Sequence, residues 1–72
     1  MENDIMVCVA TPFIKLDSFL KLAGIAGTGG EAKIRIAEGE ISVDGVVCTQ
    51  RGRKLYPGMV VEVASQRYTV SA

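Results

Sequence analysis

The sequence contains no histidine, and it has only two cysteines among its 72 residues. Without histidine there is no Ser–His or Cys–His pairing for nucleophilic catalysis, and the commonest general base is missing. Two cysteines are also too few soft ligands for a tetrahedral zinc site. We therefore expect no enzyme, no bound metal and no cofactor.

Long hydrophobic runs are also missing, whereas a helix that crosses a bilayer needs about 20 consecutive apolar residues. The N-terminus has no basic segment leading into an apolar core, which is the pattern of a secretion signal. We expect a cytoplasmic protein without membrane contact. In that reducing compartment, Cys8 and Cys48 are predicted to be buried thiols rather than a disulfide.

The protein also lacks a net charge, because 8 Lys and Arg residues balance 8 Asp and Glu residues. No overall positive field attracts nucleic acid, so binding to a polyanion requires local segregation of charge. Arg51, Arg53 and Lys54 lie close together along the chain, apart from most of the acidic residues. One face of a neutral protein could therefore be basic.

The length and the hydrophobic content of 49% fit one folded domain that spans residues 1–72. Residues 5–9 predict an edge strand, because β-branched residues dominate there and Pro12 follows. A short helix is predicted over residues 18–23, with Asp17 as its cap and Gly24 as its left-handed end. Its buried face would consist of Leu16, Phe19, Leu20 and Ala23.

A second helix is predicted from about Gly30 to residue 38, ending at Gly39. The spacing of Thr28 and Glu31 is that of a capping box: the Thr hydroxyl accepts from the Glu31 amide, and the Glu carboxylate reaches back to the cap amide. Gly29 and Gly30 would leave amides at this helix start open to a phosphate. Alternatively, the two glycines only permit a sharp corner between the helices.

The segment of residues 27–32 also matches the G-x-G-x-x-A form of the dinucleotide-binding fingerprint. That fingerprint requires a preceding strand and a parallel βαβ unit. Here the segment follows a helix and precedes antiparallel strands. A nucleotide-binding regulator is therefore a third possible function that rests only on this incomplete match.

The second half of the chain has the period-two pattern of strands. A hairpin is predicted over residues 41–48 around Asp44-Gly45, with further strands at 60–63 and 67–70. Residues 50–54 are predicted to form a basic loop. Tyr56 and Tyr68 could stack on bases, although half-buried packing on the sheet is favoured for both. The fold class is α+β, with two short helices on a small antiparallel sheet.

Four motifs occur in a recognisable order: residues 15–24, the Thr-Gly-Gly-Glu-Ala-Lys corner at 28–33, Glu38-Gly39, and residues 41–45. Together they resemble the S-four RNA-binding domain, particularly the short stand-alone bacterial branch. The resemblance implies an L-shaped αL motif that binds structured ribosomal or transfer RNA through contacts with phosphates and with the shape of the RNA. We expect neither DNA nor a membrane as a partner. The implied RNA contacts are Lys15, Thr28, Gly29, Gly30, Lys33, Arg51, Arg53 and Lys54.

Two positions depart from the family pattern. Many members have an arginine where Gly30 stands, and an apolar residue is usual at the position of Arg35, so we expect an affinity below the family norm. The main alternative is a small protein-interaction adaptor without a nucleic-acid role. The neutral net charge favours the adaptor, whereas the clustering of basic residues favours RNA, including ribosomal RNA or a ribosome assembly intermediate.

Overall fold

Two helices and seven strands form the part of the chain, residues 4–72, that a computed structural model describes. In chain order the elements are β1 (Asp4–Cys8), β2 (Ile14–Lys15), α1 (Leu16–Leu22), α2 (Gly29–Ala37), β3 (Ile41–Val43), β4 (Val46–Val47), β5 (Lys54–Leu55), β6 (Val60–Val63) and β7 (Gln66–Ser71). The α+β class is confirmed. No helix within these residues is long and apolar enough to span a membrane.

The larger sheet has the strand order β1-β7-β6-β3-β4. Strands β7, β6, β3 and β4 are antiparallel, as predicted, and β1 lies at an edge, also as predicted. However, β1 pairs in parallel with β7, with Asp4 opposite Arg67, so the sheet is mixed. No hairpin joins β1 to β7, and the sequence therefore contained no turn that could fix their relative direction.

A second sheet, which the sequence did not predict, consists of β2 and β5. Its strands have two residues each, Ile14 opposite Leu55 and Lys15 opposite Lys54, which is too short to show a period. Lys54 therefore belongs to a strand and not to the predicted basic loop. This small sheet joins the start of α1 to the segment that follows β4.

Helix α1 buries Leu16, Phe19 and Leu20 as predicted, whereas Ala23 is only partly buried. The helix begins two residues before the predicted start, and Gly24 follows it with a φ of +77°, as predicted. The predicted cap at Asp17 is wrong, because Lys15 holds the cap position and makes no side-chain capping bond. The Asp17 carboxylate instead accepts a 2.8 Å hydrogen bond from the Ser18 amide.

Helix α2 begins as the capping box predicts, with Thr28 Oγ1 accepting from the Glu31 amide at 3.1 Å. The carboxylate of Glu31 reaches the amide of Gly27 at 2.8 Å rather than that of Thr28, which corrects the second half of the predicted box. Ala32 and Ile36 face the core as predicted. The first turn of α2 is therefore held by two side-chain hydrogen bonds, one accepted by the hydroxyl of Thr28 and one accepted by the carboxylate of Glu31.

The hairpin between β3 and β4 turns at Asp44 and Gly45, whose φ values of +50° and +85° are those of a tight primed turn.

Cys48 is buried as predicted, but Cys8 is exposed. The prediction for Cys8 was wrong because β1 is an edge strand with alternating sides, and its neighbours Val7 and Val9 take the core side. The largest side chains at the centre of the core are Leu16, Phe19, Leu20, Ile36, Ile41, Leu55, Val61 and Val70.

Candidate functional site

Basic residues from two distant segments of the chain meet at the start of α1. Lys15 lies opposite Lys54 in the ladder between β2 and β5. The carbonyl of Arg53 accepts from the Leu16 amide at 2.9 Å, and the carbonyl of Arg51 accepts from the Asp17 amide at 3.2 Å. The first amides of α1 are therefore occupied by backbone, and the side chains of Lys15, Arg51, Arg53 and Lys54 are exposed around them.

Lys21, near the end of α1, lies beside the corner between the helices. Its Nζ lies 4.0 Å from the point where a side chain on Gly29 would begin. Lys33 follows Gly29 and Gly30 by one helical turn and therefore lies on their side of α2. Sequence reasoning missed Lys21, although its three-residue steps from Lys15 and Ser18 follow the solvent side of α1.

Ion pairing separates the basic residues into two groups. Arg35 pairs with Glu40 at 3.1 Å, and Arg67 pairs with Asp4 at 3.5 Å. The other basic side chains pair with no carboxylate among residues 4–72, and all of them lie around α1 and the helix corner. We call this second group the cationic face: Lys15, Lys21, Lys33, Arg51, Arg53 and Lys54.

Arg35, one of the departures from the family pattern, has a structural role. Its Nη1 donates to the carbonyl of Ile25 at 2.8 Å in a partly buried position, and its Nε donates to Glu40 at 3.1 Å. The side chain thus holds the interhelical segment against the end of α2. This side chain lies outside the cationic face.

The corner at Thr28–Gly30 places backbone amides beside Lys21 and Lys33. Thr28 satisfies the amides of Glu31 and Ala32, whereas those of Gly29 and Gly30 have no acceptor among residues 4–72. Neither glycine has a positive φ. The corner between the helices therefore does not need glycine at either position for its backbone conformation. This argues against the alternative that the two glycines only permit a sharp corner.

Two carboxylates lie next to the cationic face and limit its potential. Asp17 is in the first turn of α1 and Glu31 in the first turn of α2, and each accepts a hydrogen bond from a nearby amide. The remaining described acidic residues lie at the end of α2 or on the larger sheet. Charge is therefore segregated in a protein whose net charge is zero.

The predicted contact residues lie in two groups. One is the cluster of Lys15, Arg51, Arg53 and Lys54, and the other is the corner of Thr28, Gly29, Gly30 and Lys33, with Lys21 beside the corner. All of these residues are exposed. The arrangement presents cations around α1 and the corner, and open amides at the start of α2, which suits a ligand with several spaced phosphates.

The comparison with known families decides the classification, because residues 7–71 match the S4 domain. This chain belongs to the S4 domain family. The resemblance predicted from the helix corner and the hairpin motifs is confirmed. This S4 domain occupies nearly the whole chain.

Two curated relatives of this S4 domain are similar to it over most of their own length. "Putative RNA-binding protein YbcJ" of Escherichia coli (strain K12) is 41% identical over 61 residues, which cover 85% of this chain and 87% of the relative. "Probable ribosome maturation protein RlbA" of Bacillus subtilis (strain 168) is 44% identical over 57 residues, covering 79% and 80%.

A solved structure agrees with the fold. The solution structure of YbcJ from E. coli is 37% identical in sequence and has a TM-score of 0.73, covering 100% of this chain and 92% of that one. That structure is described as revealing an ALFAL motif involved in RNA-binding. The helix pair and sheet of this S4 domain therefore have a counterpart of known structure.

Proposed function

We propose that this S4 domain binds structured RNA through phosphate and shape contacts, and that its target is ribosomal RNA or a ribosome assembly intermediate. The observation that carries the proposal is the cationic face: six exposed basic residues that pair with no carboxylate within residues 4–72 surround α1 and the corner, while Arg35 and Arg67 are ion-paired elsewhere. An RNA helix offers phosphates at regular spacing, and such a face suits that geometry.

The names of the relatives support the two parts of the proposal separately. YbcJ supports RNA as the ligand, because its name and the description of its structure both refer to RNA binding. RlbA supports a ribosomal setting, because it is named for ribosome maturation. Transfer RNA is a second structured RNA within the same chemistry, and either ligand implies a cytoplasmic location.

The proposed binding mode assigns roles to the groups on the cationic face. Arg51 and Arg53 would hold phosphates through two-pronged guanidinium contacts, whereas Lys15, Lys21 and Lys33 act as point charges. The open amides of Gly29 and Gly30 would donate to one further phosphate oxygen. These groups recognise backbone rather than base edges, so sequence discrimination within stems should be weak.

A competition series at two salt concentrations tests this function. It compares one RNA hairpin, a twin with its stem base pairs swapped, and an unpaired strand of equal length. We expect the two hairpins to compete equally and better than the unpaired strand, with all binding weakening steeply as salt rises. Tight, base-dependent binding to the unpaired strand would contradict recognition by shape.

A protein-interaction adaptor remains a second candidate, favoured by two apolar side chains on the edge strand β4. Val46 is 70% exposed and Val47 is 58% exposed. A protein partner could cover both residues and extend the sheet at that edge. Absence of binding to every RNA in the series at low salt would favour this function over RNA binding.

A further inference from the structure

An aromatic pair lies at the end of the small β2–β5 sheet, directly beside the cationic face. Phe13 precedes β2 and Tyr56 follows β5, so the two rings continue the ladder by one step beyond Ile14 and Leu55. Their centroids are 6.0 Å apart, with the ring planes at 44°. The ammonium of Lys54 lies 4.9 Å from the centroid of Phe13.

Core packing does not account for these two rings. Leu55 supplies the buried side chain of β5, and Tyr68 is the tyrosine that packs against the core. Tyr56 is 49% exposed, and neither it nor Phe13 belongs to the core cluster or its partly buried border. Tyr68 therefore packs against the core as predicted, whereas the half-buried ring of Tyr56 packs against Phe13 outside the core.

Hydrogen bonds fix the backbone at both aromatic residues. The Met59 amide donates to the Tyr56 carbonyl at 3.1 Å, and the Tyr56 amide faces Met59 Sδ at 3.2 Å, which fixes the turn after β5. Thr11 Oγ1 donates to the Phe13 carbonyl at 2.6 Å. An exposed ring on a fixed backbone loses little conformational freedom when a ligand stacks on it.

We infer that Tyr56, supported by Phe13, is a stacking platform for one unpaired base of the bound RNA. The inference rests on the proposed function, because the cationic face must hold the flanking phosphates. Every base presents a π-face to an aromatic ring, so the platform selects an extruded base rather than a particular base. The ligand is then an RNA stem with a bulged base, and Lys54, whose ammonium lies 4.9 Å from the centroid of the Phe13 ring, would meet the phosphate beside that base.

The test uses two RNA hairpins that differ only in one bulged nucleotide, which is 2-aminopurine. The intact protein should bind the bulged hairpin at least about fivefold more tightly than the fully paired one and should quench the 2-aminopurine fluorescence. Tyr56→Phe should retain both effects because it keeps the ring. Tyr56→Ala and Tyr56→Leu should lose both effects, because leucine offers apolar area without a π-face.

Salt dependence distinguishes the platform from the cationic face. None of the Tyr56 variants changes a charge, so the slope of binding against salt should stay the same for the fully paired hairpin. Equal binding of both hairpins by the intact protein, or a preference that persists in Tyr56→Leu, would overturn the platform and leave the proposed function standing. Failure to bind either hairpin would overturn both. If Tyr56→Ala unfolds, the leucine variant and the fluorescence of the intact complex decide the question.

Discussion

Replacing Arg51, Arg53 and Lys54 together with alanine removes half of the cationic face while leaving the backbone bonds that support it. The carbonyls of Arg51 and Arg53 hold the start of α1, and alanine keeps both carbonyls. None of the three side chains is ion-paired within residues 4–72. The variant also loses the contact between the Lys54 ammonium and the Phe13 ring, which lies at the surface. We therefore expect a folded variant.

The magnitude follows from counterion release. If each of the six cations on the face contacts one phosphate, at about 0.9 counterions per contact, the logarithmic slope of affinity against salt is about −5.4. Removing three contacts leaves a slope of about −2.7. Between about 50 and 200 mM salt, the intact protein should weaken about 1,800-fold and the triple variant about 40-fold.

Fluorescence anisotropy with a labelled hairpin measures both slopes across a salt series, and circular dichroism verifies the fold. Arg67→Ala is the matched control, since it removes a cation that pairs with Asp4 outside the cationic face. Its slope should remain near that of the intact protein. A folded triple variant with an unchanged slope would refute the role of these three residues.

Three further substitutions test the corner and the fold. Gly30→Asp should reduce RNA affinity about fivefold by repelling a phosphate, with stability kept because the acid suits a helix start; if it unfolds where Gly30→Ala does not, the phosphate argument loses its support. Arg35→Met should lower the free energy of unfolding by about 1–2 kcal/mol in urea denaturation, without altering the salt slope of binding. Gly39→Ala should cost about 1–2 kcal/mol in the same assay, because φ at Gly39 is +77°; an unchanged midpoint would contradict this.

Local signals explain which parts of the fold could be predicted. Thr28 and Glu31 determine the start of α2 within one turn, and Asp44-Gly45 determines the hairpin within two residues. The predicted cap at Asp17 was wrong because the start of α1 depends on contacts with a distant part of the chain and not on a local signal. The amides at the start of α1 bond to carbonyls of Arg51 and Arg53, which lie far away along the chain and carry no local signal.

The candidate site was predictable in its composition but not in its arrangement. Arg51, Arg53 and Lys54 were found by their clustering, and Lys33 by its place after the two glycines. Lys21 was missed because a basic residue in the last turn of a helix is ordinary, and only the packing of the helices brings it to Gly29. Tyr56 and Tyr68 could not be distinguished, because their exposure depends on which strands pair.

The parallel pairing of β1 with β7 has a consequence for how the protein is made. Asp4 lies opposite Arg67 and Cys8 opposite Ser71, so β1 can pair in this sheet only after the chain has been synthesised as far as β7. The start of α1 likewise waits for the carbonyls of Arg51 and Arg53. The cationic face of a nascent chain therefore cannot be complete until residues 51–54 have been synthesised. The pairing of β1 with β7 comes later still, when β7 has been made and the larger sheet closes.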